Sequence, residues 1–257
     1  MSSHERALQD EANNVTYQRC QYAYEFVKDI IKGKEVLDIG CGLGYGASLM
    51  AQSAKKVTGV DYDEDTIQQN KIRLAAINNL DFKRGTVPPL PFPDGSFDVI
   101  TAFHFIEHIK GRKGFIKDCL RVLKPGGKAI ISTPNIKKSL ARNPFHVHEY
   151  TFDEMKNEVS LYTNKVELLG LNGTERVQKY YEENGKFVRN ILKFDILGIH
   201  KILPGKVLQI PYNWITSVMR NKLKDKVATT TDITLKDFFL QKNNLDECWD
   251  IFVVAGK

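Results

Sequence analysis

The stretch Val36-Leu37-Asp38-Ile39-Gly40-Cys41-Gly42-Leu43-Gly44-Tyr45-Gly46 constrains this chain more than any other. A short apolar run, Glu35 to Ile39, has the length of a buried strand and then breaks into alternating glycines. Glycine lacks a Cβ, so such a loop can take positive φ and let a ligand touch the backbone. A strand feeding a glycine loop predicts a nucleotide-type ligand site in an α/β fold. Asp38, two residues before the first glycine, narrows the ligand further. Phosphates need bare amide donors, so a carboxylate there disfavours a dinucleotide and suits a cationic ligand.

Beyond the loop, short β-like runs alternate with amphipathic helical stretches, which predicts a mostly parallel, doubly wound sheet with helices on both faces. A helix is expected over 44–54, a strand from Val57 to Val60 ending at Asp61, a helix over 65–78 and a third strand over Leu80–Lys83. The turn Pro93-Asp94-Gly95-Ser96 introduces a fourth strand, Phe97–Phe103. A helix from Arg112 to Leu123 stops at Lys124-Pro125-Gly126-Gly127, before a fifth strand over Lys128–Ser132. Asn164–Leu169 and Trp249–Ala255 are the remaining strand candidates.

Composition sets wider limits. The chain has 257 residues, 42% hydrophobic and 26% charged, enough for a real core in one domain. The start is polar and no apolar run approaches ~20 residues, so a cytoplasmic protein is expected. Cys20, Cys41, Cys119 and Cys248 lie far apart without metal-ligand spacing, which predicts reduced thiols and no zinc. The net charge of +6 is spread along the sequence, so no nucleic-acid partner is expected.

Several landmarks stand in a fixed order. Gly59-Val60-Asp61 closes the second strand, 19 residues beyond Gly42. Leu90-Pro91-Phe92-Pro93-Asp94-Gly95-Ser96-Phe97-Asp98-Val99-Ile100 follows, then Glu107-His108, then Arg121-Val122-Leu123-Lys124-Pro125-Gly126-Gly127. From about Lys34 to Asn135 the chain resembles class I S-adenosylmethionine (SAM)-dependent methyltransferases of the group with LPFPDxSFDVV and RVLKPGG motifs. A nicotinamide enzyme is the natural competitor, because Gly42 to Ala47 also satisfies G-x-G-x-x-A with Asp61 beyond it. That pattern leaves the LKPGG and FDVI segments unexplained.

The resemblance implies a Rossmann-like, seven-stranded sheet and a ligand map. Asp38 favours the ligand ammonium and orients the loop, Gly40, Gly42 and Gly44 line the methionine portion, and Asp61 holds the ribose. Tyr62 lies against the adenine. Where the family usually has Gly-Asp-Ala this chain has Gly85-Thr86-Val87, so Thr86 and the Val87 backbone take over the adenine edge. Phe103 and His104 approach the sulfonium end, and Arg19, with Tyr17, meets the ligand carboxylate. Methyl transfer needs mainly alignment, and a base adds to it when the acceptor is a hydroxyl.

His148 and then His146, in Asn143-Pro144-Phe145-His146-Val147-His148-Glu149-Tyr150-Thr151, are the leading base candidates, with Glu149 fixing the imidazole. His104 follows them, and His108 is read as mainly architectural. No metal is expected. The 143–151 loop, the early TYQRCQYAYEFV helix and the late NNLDECWDIFVVAGK strand are loosely similar to bacterial methyltransferases of surface-glycan and lipopolysaccharide assembly. That likeness implies a sugar or glycan hydroxyl as acceptor. A small-molecule or lipid hydroxyl, or a non-catalytic SAM-binding partner, are the alternatives.

Four parts of one domain are expected: a helical cap (1–33), a Rossmann-like core (34–171), a helical lid insertion (172–231) and the last strand (232–257). Within the insertion, Ile210, Trp214, Ile215 and Val218 fall at helical spacing among basic residues. Residues 207–227 therefore form a lid or a peripheral membrane contact.

Overall fold

The computed structural model describes residues 14–140, 143–192 and 232–257. Their strands are β1 (Glu35–Ile39), β2 (Lys56–Asp61), β3 (Leu80–Arg84), β4 (Phe97–Phe103), β5 (Leu123–Pro134), β6 (Val166–Gly173), β7 (Phe238–Gln241) and β8 (Asp250–Gly256). They form one sheet in the order β3-β2-β1-β4-β5-β8-β6-β7. The β3-β2-β1-β4-β5 part is parallel, and β8, β6 and β7 join it in antiparallel pairings. The strand order reverses direction beside β1, between β1 and β4. Ligands of open α/β sheets bind at that switch point, outside the carboxyl ends of the strands.

The helices are α1 (Asn14–Val27), α2 (Tyr45–Ala51), α3 (Glu64–Arg73), α4 (Arg112–Val122), α5 (Phe152–Ser160) and α6 (Glu175–Leu192). Alternation along each strand sends neighbouring side chains to opposite faces, and two cores result. Leu37, Ile39, Ile100, Ala102 and Ile131 pack with Phe115 and Cys119 of α4 and Met155 and Val159 of α5. Val36, Val57, Val99, Phe103 and Ile130 pack with Ala23 and Val27 of α1, Ala47 and Met50 of α2, Ile67 of α3 and Val177 of α6. The four cysteines are free.

Helix α2 ends at Ala51 and not at 54, α3 at Arg73 and not at 78, and β6 runs to Gly173 beyond the expected Leu169, and two further differences have visible reasons. Strand β5 begins at Leu123 and runs through the Lys-Pro-Gly-Gly stop, because Leu123 pairs with Phe97 before the register shifts to Val99 and Lys128. Gly126 at φ +78° carries that irregularity. Among the described residues the sheet has eight strands instead of seven, since Phe238–Gln241 pairs with the end of β6 as an edge strand. Helix α6 occupies the start of the expected insertion. The rest of it, including 207–227 and its lid or membrane role, lies outside the described residues. Among the described residues no helix is long and apolar enough to cross a membrane.

Candidate functional site

A cleft of about 350 Å³ opens at the carboxyl ends of β1 to β3, where Ile39, Gly40, Asp61, Tyr62, Thr86, Val87, Phe105 and His108 are among its lining residues. A larger hollow of about 740 Å³ lies over α4 and the end of the chain. Three of its charged groups are committed to the fold: Asp118 pairs with Arg121, and the Lys257 ammonium donates to two backbone carbonyls. The smaller cleft is the candidate site because it sits at the switch point and gathers the glycine loop.

The loop is fixed from both sides. Gly40 takes φ +74°, and a Cβ there would stand 2.5 Å from the Phe105 ring, so both conformation and space require glycine. Its N–H donates to the Val60 carbonyl at 2.8 Å. Gly42 takes φ +48° with nothing within 4 Å of its would-be Cβ, so open space remains beside its backbone. The Gly42 N–H donates to Asp61 Oδ2 at 3.0 Å, and the Asp63 N–H donates to Oδ1 at 3.1 Å. Asp61 thus ties the loop to the end of β2 while lining the cleft, where a ribose would meet it. Gly44, at φ +72°, starts α2.

Asp38 is 1% exposed and lies on the α1–α2 face of the sheet, beside the cleft and not in its wall. Its Oδ1 accepts from the Thr101 hydroxyl at 2.8 Å, whereas Oδ2 is buried without a partner. Burial pushes the carboxyl up to about 7, against the Thr101 hydrogen bond, and the nearby Asp61 charge adds to the rise. An orphaned acidic oxygen under a glycine loop suits a ligand that brings positive charge and N–H donors. The donor set therefore fits SAM: carboxylates at Asp38 and Asp61, bare glycine backbone, and Tyr62, Thr86 and Val87 around the place of the adenine.

Other expected contacts fall elsewhere. The Phe103 ring turns into the core, 5.0 Å from Tyr24 and 6.1 Å from Phe252. Phe105, two residues on, lines the cleft in place of Phe103, which was expected to approach the sulfonium end. The Arg19 guanidinium is committed to Asp250, donating from Nε at 2.6 Å and from a second nitrogen, and it also donates to the Tyr181 hydroxyl. Asp250 is fully buried, and although burial works against its charge, Arg19 and then His104 hold its carboxyl below the usual range. Removing one member of such a pair strands a buried charge. Arg19→Ala is expected to lower the unfolding free energy by about 3–5 kcal/mol, read by urea denaturation, and a loss below about 1 kcal/mol would contradict this role.

The histidines separate into distinct environments. His104 takes φ +50°, an uncommon conformation for a side-chain-bearing residue, and stands 3.6 Å from Glu107 and 3.7 Å from Asp250. Burial opposes its charge, but those carboxylates outweigh it and hold the imidazole above its ordinary range. His148 lies 2.6 Å from Glu154 and edge-on to Tyr150, outside the cleft lining. Glu149 holds His146, not His148: Nδ1 of His146 is 2.6 Å from Glu149 Oε1. An extended loop would put 146 and 148 on one side, but the chain turns there, and the His146 N–H donates to the Asn143 carbonyl. Thr151 meanwhile caps α5 by accepting from the Glu154 N–H at 3.2 Å.

Among the described histidines, His108 is the one that lines the cleft. Its Nδ1 is 3.2 Å from the Phe145 carbonyl, which makes Nδ1 the donor and leaves Nε2 as acceptor. Burial lowers its basicity, Glu107 partly offsets this, and His146 lowers it further, so the imidazole is neutral at pH 7. The rings of His108 and His146 stand 4.9 Å apart, edge to face. The Glu107 carbonyl accepts from the N–H groups of Val147 (2.7 Å) and His148 (3.2 Å), which docks the loop onto the turn after β4. Sequence reading missed this joining of Glu107-His108 to His146. The only available signal was that both segments follow adjacent strands.

Similarities to known proteins bear on the domain and the fold. Residues 37–131 match the family model described as a methyltransferase domain. A protein of Mycolicibacterium smegmatis, named "Probable S-adenosylmethionine-dependent methyltransferase", is 40% identical over 147 residues, 55% of this chain and 56% of that one. A ubiquinone biosynthesis O-methyltransferase of Idiomarina loihiensis is 37% identical over 109 residues, 42% of this chain and 45% of the relative. The chain thus spans about half the length of the curated relatives it matches. Among solved structures, that of the [4+2]-cyclase SpnF superposes with TM-score 0.60 at 18% identity, covering 100% of this chain and 85% of the other. That likeness shows the fold alone, and a cyclase on it shows that fold does not fix reaction. In motif order, matched segment and sheet topology, residues 37–131 are thus similar to the methyltransferase domains of SAM-dependent proteins.

Proposed function

We propose that the chain is a SAM-dependent methyltransferase that alkylates a hydroxyl oxygen of a sugar or glycan precursor. The observation that carries this reading is His108, a neutral imidazole on the cleft wall with Nδ1–H anchored on a carbonyl and Nε2 free to accept a proton. When bound, SAM supplies an already activated methyl on a sulfonium. What remains for the chain is to orient, exclude water and remove the acceptor proton. Gly40, Gly42 and Asp61 orient the ligand, Phe105 and Ile109 shield it, and His108 meets the acceptor hydroxyl. The relative named as an O-methyltransferase supports oxygen as the acceptor atom.

That relative also supports a second reading, a small lipid-like hydroxyl compound in place of the sugar. A screen of methyl-labelled SAM against sugar-nucleotide, glycan-lipid and quinol-precursor pools separates them. Label in an alkali-stable ether of a sugar is the expected result. Label only in quinol precursors would transfer the assignment to the second reading, and label only on amine nitrogen would overturn both.

A further inference from the structure

Beyond the cleft wall, Glu107, His108 and His146 each offer a ligand atom within 4.8 Å of the other two. No step proposed above uses Glu107 or His146. Glu107 is 1% exposed, and despite the burial that opposes its charge, His104 and then the other two histidines hold its carboxyl below the usual range. Its Oε2 accepts from the Thr133 hydroxyl at 3.0 Å, which fixes the carboxylate plane.

The histidines are oriented in the manner of metal ligands, each with one ring nitrogen held from outside the cluster. His108 has the Phe145 carbonyl on Nδ1. His146 has the Glu149 carboxylate on Nδ1, and Glu149 is itself steadied by the Ser139 hydroxyl at 2.5 Å. On Nε2 of His146 the neutral Asn143 amide donates at 2.8 Å. The Phe145 N–H donates to Asn143 Oδ1, which makes the amide nitrogen the group facing the ring. A cation would displace the neutral amide and leave the stronger carboxylate in place. Three ligand atoms therefore lie together, a carboxylate oxygen and two ring nitrogens. Ligand distances of about 2.0–2.2 Å require these atoms to draw closer, and the side chains rotate on a loop already docked to Glu107.

We propose that Glu107, His108 and His146 form a site for a divalent first-row metal ion at the acceptor end of the cleft. Two imidazoles and one carboxylate suit such an ion and leave coordination positions open. This replaces the sequence-based expectation of a metal-independent protein. It rests on reading this end of the cleft as the acceptor site: with an ion bound, His108 Nε2 would serve as a ligand in place of acting as the base, and the ion would lower the pKa of the acceptor hydroxyl so that its proton leaves to water.

The test uses the full chain stripped with chelator and titrated with Mn²⁺, followed by electron paramagnetic resonance, with adenosylhomocysteine (SAH) binding measured in parallel. One saturable Mn²⁺ site is expected. His146→Ala and Glu149→Gln should each weaken it by about 10-fold or more, while SAH affinity stays within a few-fold and reports a folded protein. His148→Ala should bind Mn²⁺ as the wild type does. Absence of saturable binding up to millimolar Mn²⁺, or wild-type affinity in His146→Ala, overturns the site. SAH binding with no Mn²⁺ binding removes the metal site alone, whereas loss of both removes the methyltransferase reading as well.

Discussion

Asp38→Asn is expected to weaken SAH binding by about 10- to 150-fold, the loss of one hydrogen bond to a charged group, while making the ligand-free protein more stable. Both effects come from one buried oxygen. Oδ2 of Asp38 has no partner and burial raises the carboxyl to about 7. Between about pH 4 and 7 the folded chain holds a proton here that the unfolded chain, with its ordinary carboxyl near about 3.9, has released. Wild-type stability contributed by this group therefore falls as pH rises through that window, and the cost is complete above about 7. Asparagine removes that slope. A net gain of about 1–3 kcal/mol is expected at pH 8, allowing for an amide donor left without a partner, with a smaller gain at pH 5. The ligand ammonium, which SAH shares with SAM, favours the ionised carboxyl, so wild-type SAH affinity should drop as pH falls below about 7, by up to about tenfold per unit. Titration calorimetry at pH 6 and 8 with thermal unfolding reads all of these, and an Asp38→Asn variant that binds SAH normally would contradict the role given to Asp38.

His108→Ala should lower kcat by about 100- to 10,000-fold with KM for SAM changed only a few-fold, the pattern of a group that acts chiefly in the transition state. The wild-type rate should be flat across neutral pH and fall only on the acid side, below the ordinary imidazole range, because burial depresses the His108 pKa. His148→Ala serves as the contrast: His148 pairs with Glu154 and stands outside the cleft lining. If the His148 variant loses turnover and the His108 variant keeps it, the assignment of roles within the loop is reversed.

Local rules made the core legible in sequence. The apolar run into Gly40, the acid closing β2 and the turn before β4 each carry their own chemistry, and each element lies where its residues predict. The eighth strand was hidden because Phe238–Gln241 is short and gains its identity only by pairing with β6. The start of β5 was hidden because proline and glycine there signal a stop, while cross-strand pairing with Phe97 overrides it.

In the site, the placement of Asp61 and the glycine loop beside the cleft was readable, and that of the residues over 143–151 was not. Asp61 and the glycines follow from the strand that delivers them. Whether His146 or His148 faced inward depended on a turn set by Asn143 and on Glu107 accepting from residues about 40 positions away. Such tertiary hydrogen bonds leave no periodic trace. Phe103 illustrates the same limit, since the sheet pleat sends its ring to Tyr24 and leaves the cleft to Phe105.

Calorimetric titration of the purified chain with SAH and, separately, with NADH probes the glycine loop beside Asp38 most directly. One equivalent of SAH taken up with no heat from NADH is the predicted result. Tight NADH uptake together with indifference to SAH would contradict it and return the loop to the dinucleotide-binding proteins.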